Sequence, residues 1–355
     1  MKKTIFRTVS LLLVLAMAVA MLSACSYRPR KSTDEEATPV MTLGEATVNF
    51  EVLYAFFHSR AERAEGYSAD YFEGEVGDAR YAEILAGATA DVAEIYALFD
   101  ACRAAGIDPY SEEIEEAVTE QIKLTVKGGA VDGVIFPGYK NYKAYLADIR
   151  ENYHMNDAVA RLMIRYGICE ELLIEYYENK HPYTDDDVAA FFMSADCVHI
   201  VHISRSESDG GLGGSFTAAE IREFNLDLVT TARNHLLQGN DDKACQLTTR
   251  RDPKPYIGRY TYDRAYYATL IDTAFALPEG GVSEIMDLGS EGFHVVKRLP
   301  KNLADLESHA EFAALTEAYL YDLLTGDVLS RAEALLAGAT YTEAYTSLTK
   351  DSFVN

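Results

Sequence analysis

Two histidines on separate apolar strands are the residues of this chain best placed to do chemistry. His199 lies within the apolar run 197–201, and His294 lies within the run 292–296. An unpaired imidazole is costly to bury, so each ring should hydrogen-bond to the other, directly or through a hydroxyl. The candidate bridging hydroxyls belong to Thr248, Thr249 and Ser290. The sequence therefore predicts one buried imidazole network.

The segment between the two strands carries a motif of its own. Residues 275–283 follow the pattern F-A-L-x-x-G-x-V-S. Two histidine strands joined by a helical stretch and this motif resemble the parvulin-type peptidyl-prolyl isomerases, over roughly Ser194–Pro300. The resemblance implies catalysed rotation about the bond preceding proline, which amide resonance opposes with a barrier of ~18–20 kcal/mol. That rotation needs no covalent step, and neither a cofactor nor a metal is expected.

The resemblance also implies roles for individual residues. His199 and His294 would form the hydrogen-bonded network at the base of the catalytic site, where neither needs to act as a general base. Thr248 or Thr249 takes, by spacing, the position at which family members usually carry cysteine or aspartate. The proline ring would sit in an apolar cup lined by Ile257, Tyr260, Tyr266 and Leu270.

The chain departs from the family's pattern around the histidines. Threonine replaces the usual cysteine or aspartate, and the following Gly-Gly pair has become Lys254-Pro255. Gly289 stands where a threonine is expected five residues before the second histidine. This incomplete motif leaves two alternatives open, an active isomerase and a degenerate domain that only binds unfolded chains.

Other motifs do not support a different chemistry. The glycine-rich run 210–214 precedes a helix but lacks the lysine and the spacing of a phosphate-binding loop. His199 and His202 should lie on opposite faces of one strand, so they are not expected to bind one metal ion. No G-x-S-x-G nucleophile motif is present in the sequence.

The N-terminus is typical of an exported lipoprotein. Lys2, Lys3 and Arg7 precede a short apolar run, which ends in Leu-Ser-Ala-Cys at Cys25. That ending resembles a bacterial lipobox, whose cysteine becomes the lipidated first residue of the mature chain. Residues 1–24 are therefore predicted to be a signal peptide, and 25–41 a polar tether to the cell membrane.

The net charge limits the classes of binding partner, and the cysteine spacing bears on disulfides. The formal net charge of −24 argues against nucleic acid and against electrostatic attachment to anionic lipid. The four cysteines beyond Cys25 are Cys102, Cys169, Cys197 and Cys245. None forms a C-x-x-C pair, so spacing alone implies no disulfide and buried thiols are expected.

Local signals divide the rest of the chain into helices and short strands. A strand is predicted over 40–48 with a turn at Gly44-Glu45, and one helical stretch over 140–162. Ser111 and Thr184 are natural N-caps followed by acidic residues. Thr217 opens a capping box with the glutamate three residues later.

The order of these elements resembles the SurA and PrsA class of exported foldases. The expected fold is α+β, with a mainly helical, discontinuous chaperone domain and an inserted parvulin-like domain containing a small antiparallel sheet flanked by helices. The predicted parts after the tether are 42–193 for the first chaperone segment, 194–300 for the parvulin-like domain and 301–355 for the returning helices.

These observations predict an extracytoplasmic, lipid-anchored foldase that assists newly exported, unfolded proteins at their X-Pro segments. The first alternative keeps the fold but drops the catalysis, leaving a holdase chaperone. The second alternative is a solute-binding lipoprotein, which would need two α/β lobes with repeated strand–helix alternation. The long helical run over 49–192 disfavours it.

Overall fold

The computed structural model describes residues 38–64, 67–68, 70–131, 134–136, 138–180, 183–206, 217–261, 264–307 and 309–353. The predicted signal peptide, Cys25 and most of the predicted tether lie outside these residues. So does the glycine-rich run 210–214. Within the described residues, no helix combines the length and hydropathy that crossing a membrane requires.

The fold is α+β, as predicted. The helices are α1 Phe50–Arg63, α2 Gly74–Ala104, α3 Glu112–Lys127, α4 Tyr142–Tyr153, α5 Asp157–Lys180, α6 Asp185–Met193, α7 Ala218–Leu237, α8 Asp241–Cys245, α9 Arg264–Ala276, α10 His309–Ala337 and α11 Glu343–Thr346. The strands are β1 Pro39–Leu43, β2 Ala46–Asn49, β3 Gly129–Val131, β4 Val134–Phe136, β5 Cys197–Arg205, β6 Tyr256–Gly258, β7 Met286–Asp287, β8 Phe293–Leu299 and β9 Thr340–Tyr341.

The chain divides into two compact units. Unit 1 comprises the chain up to Asn179 together with Asp327–Asn355, and unit 2 is Lys180–Gly326. Unit 2 is wider at both ends than the predicted range 194–300. The physical reason is a core cluster in which α6 and α10 pack against β5 and β6, so that both helices join the sheet. Its buried members are Val188, Phe191, Phe192, Cys197, Tyr256, Leu315 and Ala318.

Unit 1 contains a small sheet built from both ends of the described chain. The segment predicted as a strand over 40–48 is a β1–β2 hairpin, and Gly44 supplies the positive φ of 59° that its turn requires. β9 pairs antiparallel with β1, with Met41 opposite Tyr341 and Thr42 opposite Thr340. No strand was predicted after residue 336, because a two-residue strand gives no periodic signal.

The last described residues also fasten to α1. The Phe353 side chain is fully buried, and its ring lies 4.1 Å from that of Phe57 between centroids. Nε2 of the buried His58 lies 2.9 Å from the Phe353 carbonyl oxygen. The rings of His58 and His154 stack at 4.2 Å, and Nε2 of His154 lies 2.6 Å from a Glu62 carboxylate oxygen. A buried polar cluster therefore holds the C-terminal segment.

Side-chain caps set several helix ends in both units. Ser111 accepts a hydrogen bond from the amide of Ile114 at the start of α3. Thr184 and Thr217 form capping boxes at α6 and α7, which confirms all three predicted caps. The single helical stretch predicted over 140–162 is wrong. His154 ends α4 in the left-handed region (φ 54°), and the Asn156 side chain caps a new helix, α5.

Unit 2 is built around a four-stranded antiparallel sheet in the order β6-β5-β8-β7. Successive residues of β5 point to opposite faces of the sheet. Val201 and Ile203 pack with α7, whereas Val198 and Ile200 pack with α9. The sheet is thus covered on both faces, and its central strands β5 and β8 carry the predicted histidines.

Candidate functional site

The register of β5 against β8 decides which histidines meet. Ser204 lies directly opposite His294, His202 lies opposite Val296, and His199 lies opposite Leu299. His202 and His294 are therefore diagonal neighbours on one face of the sheet. Diagonal partners on antiparallel strands are close enough for long or aromatic side chains to touch.

The two rings share a direct hydrogen bond. Nε2 of His202 lies 2.9 Å from Nδ1 of His294, and both side chains are buried. On its other side, Nε2 of His294 lies 2.9 Å from the Glu291 carbonyl oxygen. A carbonyl can only accept, so Nε2 of a neutral His294 carries the proton and its Nδ1 accepts from Nε2–H of His202. The polarity of the chain from His202 through His294 to Glu291 is thereby fixed.

This geometry corrects the expectation that His199 pairs with His294. His199 sits three residues before His202 on β5, and the strand's alternation directs it to the opposite face. Its ring instead lies against Tyr256, with 4.4 Å between ring centroids. The expectation of opposite faces for His199 and His202 was sound, but it was His202 that shared a face with His294.

Burial keeps the histidine pair neutral. Burial, together with the positive charge of Arg250, lowers the pKa of His202 well below its ordinary value. Burial also lowers the pKa of His294 to about 4, although its hydrogen bond to the Glu291 carbonyl opposes the shift. Both rings are therefore uncharged at neutral pH, in agreement with the tautomers deduced from the hydrogen bonds.

A tyrosine from α9 completes the corner around His294. The hydroxyl of Tyr267 donates to a Glu291 carboxylate oxygen at 2.8 Å. Its ring meets that of His294 edge-on, with 5.9 Å between centroids. Glu291 is thus held through its side chain by Tyr267 and through its backbone by His294.

His202, Tyr267 and Glu291 were not predicted as site residues. A signal for His202 exists, because the dipeptide His-Ile occurs at both 199–200 and 202–203. Choosing between the two copies requires the strand register. Glu291 contributes a backbone carbonyl to the histidine pair, for which no side-chain signal can exist.

The threonines predicted near the histidines fasten a loop to β5. Oγ1 of Thr248 accepts from the Ser204 amide (3.1 Å) and the Arg250 amide (3.2 Å), and it donates to the Ser204 carbonyl (3.2 Å). The hydroxyl of Thr249 also donates to the Ser204 carbonyl, at 3.4 Å. Thr248 therefore contacts the backbone opposite His294, and it does not bridge the two rings.

The predicted proline cup differs from the observed packing. Ile257 and Leu270 are both 0 % exposed, inside the core cluster between the sheet and α9. This corrects the expectation that they line an open cup, because a fully buried side chain offers no surface to a peptide. Tyr260 is half-buried, and its amide donates to Asp322 at 2.9 Å. The side chains of Tyr266 and Ser290 lie outside the described part of the structure.

Among the described residues, no group of three or more His, Cys, Asp or Glu side chains could hold a metal ion. The facing nitrogens of the two imidazoles are committed to each other. The arrangement can therefore supply a desolvated, uncharged and rigid hydrogen-bonded floor for a binding site.

Comparisons with known proteins place solved foldase structures beside this chain. No family model and no curated protein matches it. PrsA from Bacillus subtilis is similar at 13% identity, over 74% of this chain and 87% of that one, with a TM-score of 0.26. The foldase protein PrsA from Streptococcus pneumoniae is similar at 13% identity, over 86% and 97%, with a TM-score of 0.24. The peptidylprolyl isomerase PrsA from Bacillus anthracis is similar at 14% identity, over 71% and 99%, with a TM-score of 0.25.

Proposed function

We propose that this protein is an extracytoplasmic foldase whose unit 2 catalyses peptidyl-prolyl isomerisation. The observation that carries the proposal is the direct hydrogen bond between the buried, neutral rings of His202 and His294. The catalytic histidines of the proposal are therefore His202 and His294, and His199 is left out.

Isomerisation suits a site of this kind because no bond is made or broken. The planar amide is the resonance-stabilised, more polar form, so excluding water and holding the peptide in a low-dielectric site favours the twisted form. A charged imidazole would attract water and strengthen the planar form's hydrogen bonds. The neutral tautomers fixed by the Glu291 carbonyl give the site a rigid floor without a net charge.

A holdase without catalysis is the second candidate, and two observations favour it. The three hydrogen bonds of the Thr248 hydroxyl all go to backbone groups. Ile257 and Leu270, which the family resemblance places around the proline ring, are fully buried. Binding of unfolded segments would then remain while isomerisation is lost. The solute-binding alternative is not carried forward, since the described sheets are all antiparallel.

The proposed setting follows from the N-terminal sequence. Export by the signal peptide 1–24 and lipidation at Cys25 would hold both units at the outer face of the cell membrane. The proposed partners are unfolded exported proteins, and their X-Pro bonds would be the substrate. Mass spectrometry of membrane-extracted protein should find lipid on Cys25; an unmodified N-terminus elsewhere would reject this part.

The test is acceleration of a proline-limited refolding reaction. The variants are His202→Gln and His294→Gln, with His199→Gln as a matched control on the same strand but the opposite face. The proposal expects acceleration by the unmodified protein and the control, reduced at least tenfold in the two site variants. Suppressed aggregation without acceleration would establish the holdase instead. If the protein neither accelerates refolding nor suppresses aggregation, both candidate functions are rejected.

A further inference from the structure

Two buried cysteines in unit 1 lie against each other although they are far apart in sequence. Cys102 is near the end of α2, and Cys169 is in the middle of α5. Both are fully buried, and Sγ of Cys102 lies 3.5 Å from the backbone carbonyl oxygen of Cys169. The two helices thus bring one thiol onto the backbone of the other cysteine.

We propose that Cys102 and Cys169 form a reversible disulfide that links α2 to α5. The inference rests on the proposed function in one respect, since the extracytoplasmic setting is where disulfides form and persist. Cys197 and Cys245 lie in unit 2, with Cys197 in the α6–α10 cluster and Cys245 beside the α7 cluster. The contact between Cys102 and Cys169 therefore selects one pair among the four described cysteines.

The surroundings of Cys169 favour its thiolate over that of its neighbour. Interaction with the Cys102 thiol lowers the pKa of the Cys169 thiol, and the positive charges of Arg165 and Arg103 act in the same direction against burial and Asp108. The interaction between the two thiols, together with burial, raises the pKa of Cys102. Cys169 is thus the attacking sulfur, because the thiolate is the reactive form of cysteine.

The linkage would form by thiol–disulfide exchange with a small-molecule or protein disulfide as the oxidant. The Cys169 thiolate attacks one sulfur of that disulfide, which forms a mixed disulfide and releases one thiolate of the oxidant. Cys102 then loses its proton and attacks the Cys169 sulfur, which releases the second thiolate. Two electrons pass to the oxidant, and its two released sulfurs take up the two protons lost by the protein. Because both thiols are buried, exchange requires local opening of unit 1 or takes place before α2 and α5 have packed.

The experiment uses the full chain in two glutathione buffers, one mainly oxidised and one mainly reduced. Free thiols are alkylated in denaturant, and peptides are mapped by mass spectrometry. In the oxidised sample, Cys102 and Cys169 should be found joined and two hydrogens lighter, whereas Cys197 and Cys245 are alkylated. The link would close a loop of 67 residues. Oxidation should therefore raise the Tm of unit 1 by about 10 °C.

Variants separate this link from a general effect of oxidation. Cys102→Ala and Cys169→Ala should abolish the difference in Tm between the two buffers, while the control Cys197→Ala should keep it. Alkylation of both Cys102 and Cys169 in the oxidised wild-type sample would overturn the proposal even if a variant fails to fold, and so would a link from either of them to Cys25, Cys197 or Cys245. The refolding assay reads His202 and His294 in unit 2, so its failure alone would reject only the proposed function.

Discussion

His202 and His294 satisfy each other across two neighbouring strands, with Nε2 of the first 2.9 Å from Nδ1 of the second. Each ring occupies a site where water cannot replace its partner. The fold of unit 2 and its proposed activity therefore depend on the same hydrogen bond.

Removing either ring should destabilise unit 2. We expect His202→Ala and His294→Ala to cost about 1–3 kcal/mol each in the free energy of unfolding, since each leaves a buried polar atom behind. The double variant should cost less than the sum of the two, because residues in contact are not additive. Denaturant midpoints measure all three. His199→Ala is the control on the other face of β5, and strict additivity of the first two changes would contradict the pairing.

The state of His294 should be visible in its titration. Burial lowers its pKa to about 4. Its ring resonances should therefore stay those of a neutral imidazole from pH 8 down to about 5.5, whereas an unperturbed histidine titrates near 6.5. NMR of ring-labelled protein measures this, with His294→Gln to assign the signals. A midpoint at 6 or above would show that the ring is not held neutral.

Unit 1 should be sensitive to acid through His58. Burial, helped by the neighbouring His154, lowers the pKa of His58 from 6.5 to about 3, against the hydrogen bond that His58 donates to the Phe353 carbonyl. Below pH 6.5 the unfolded chain binds a proton that the folded chain does not. The contribution of His58 to stability is therefore complete above that pH, and it is lost as the pH falls toward 3, by up to ~1.4 kcal/mol per pH unit.

His58→Gln tests this sensitivity, because glutamine keeps an N–H donor for the Phe353 carbonyl but does not titrate. Unfolding free energies of both proteins between pH 7.5 and 4.5 should give a shallower slope for the variant. Equal slopes would show that His58 does not contribute to the pH dependence of stability.

The Phe353 side chain should contribute strongly to the stability of unit 1. Its ring is fully buried against Phe57. Phe353→Ala should cost about 3–5 kcal/mol, as for other large side chains in cores. Phe224→Ala, at an exposed aromatic position of α7, should change stability by less than about 0.5 kcal/mol. Thermal unfolding of both variants measures the difference, and comparable small effects would mean that the C-terminal segment is not part of the core.

Gly292 holds the start of β8, two residues before His294. Its φ is 86°, and a Cβ atom built there would lie 2.0 Å from the Arg205 carbonyl oxygen. Gly292→Ala should therefore cost about 3 kcal/mol or more and displace the histidine strand. Gly289→Ala is the matched control, since its φ is also positive but nothing lies within 4 Å of the added atom. It should cost only about 1–2 kcal/mol. Circular dichroism and denaturant titration distinguish the two.

Features set by neighbouring residues were predictable from the sequence. Ser111, Thr184 and Thr217 cap the helices assigned to them, because a cap depends on a side chain and an amide three residues later. The helices and the histidine strands were found for the same reason. Short elements such as β9 carry too few residues to show a period.

Features set by the register of distant strands were not predictable. The choice between His199 and His202 depends on how β5 aligns with β8. A one-residue shift of that register would move each β5 side chain to the other face of the sheet without any change in the local sequence. The burial of Ile257 likewise depends on where α9 packs. No local pattern in the chain contains either fact.

The pairing of β1 with β9 determines the order in which the molecule can be completed. A ribosome makes residues 39–43 well before residues 340–341, so the small sheet of unit 1 lacks its third strand until the whole of unit 2 has been synthesised. Phe353 arrives later still. Unit 2 is a continuous stretch of chain, and all of its residues precede β9. Domains fold as units while the chain emerges from the ribosome. Unit 2 can therefore reach its native state before β9 of unit 1 has been synthesised.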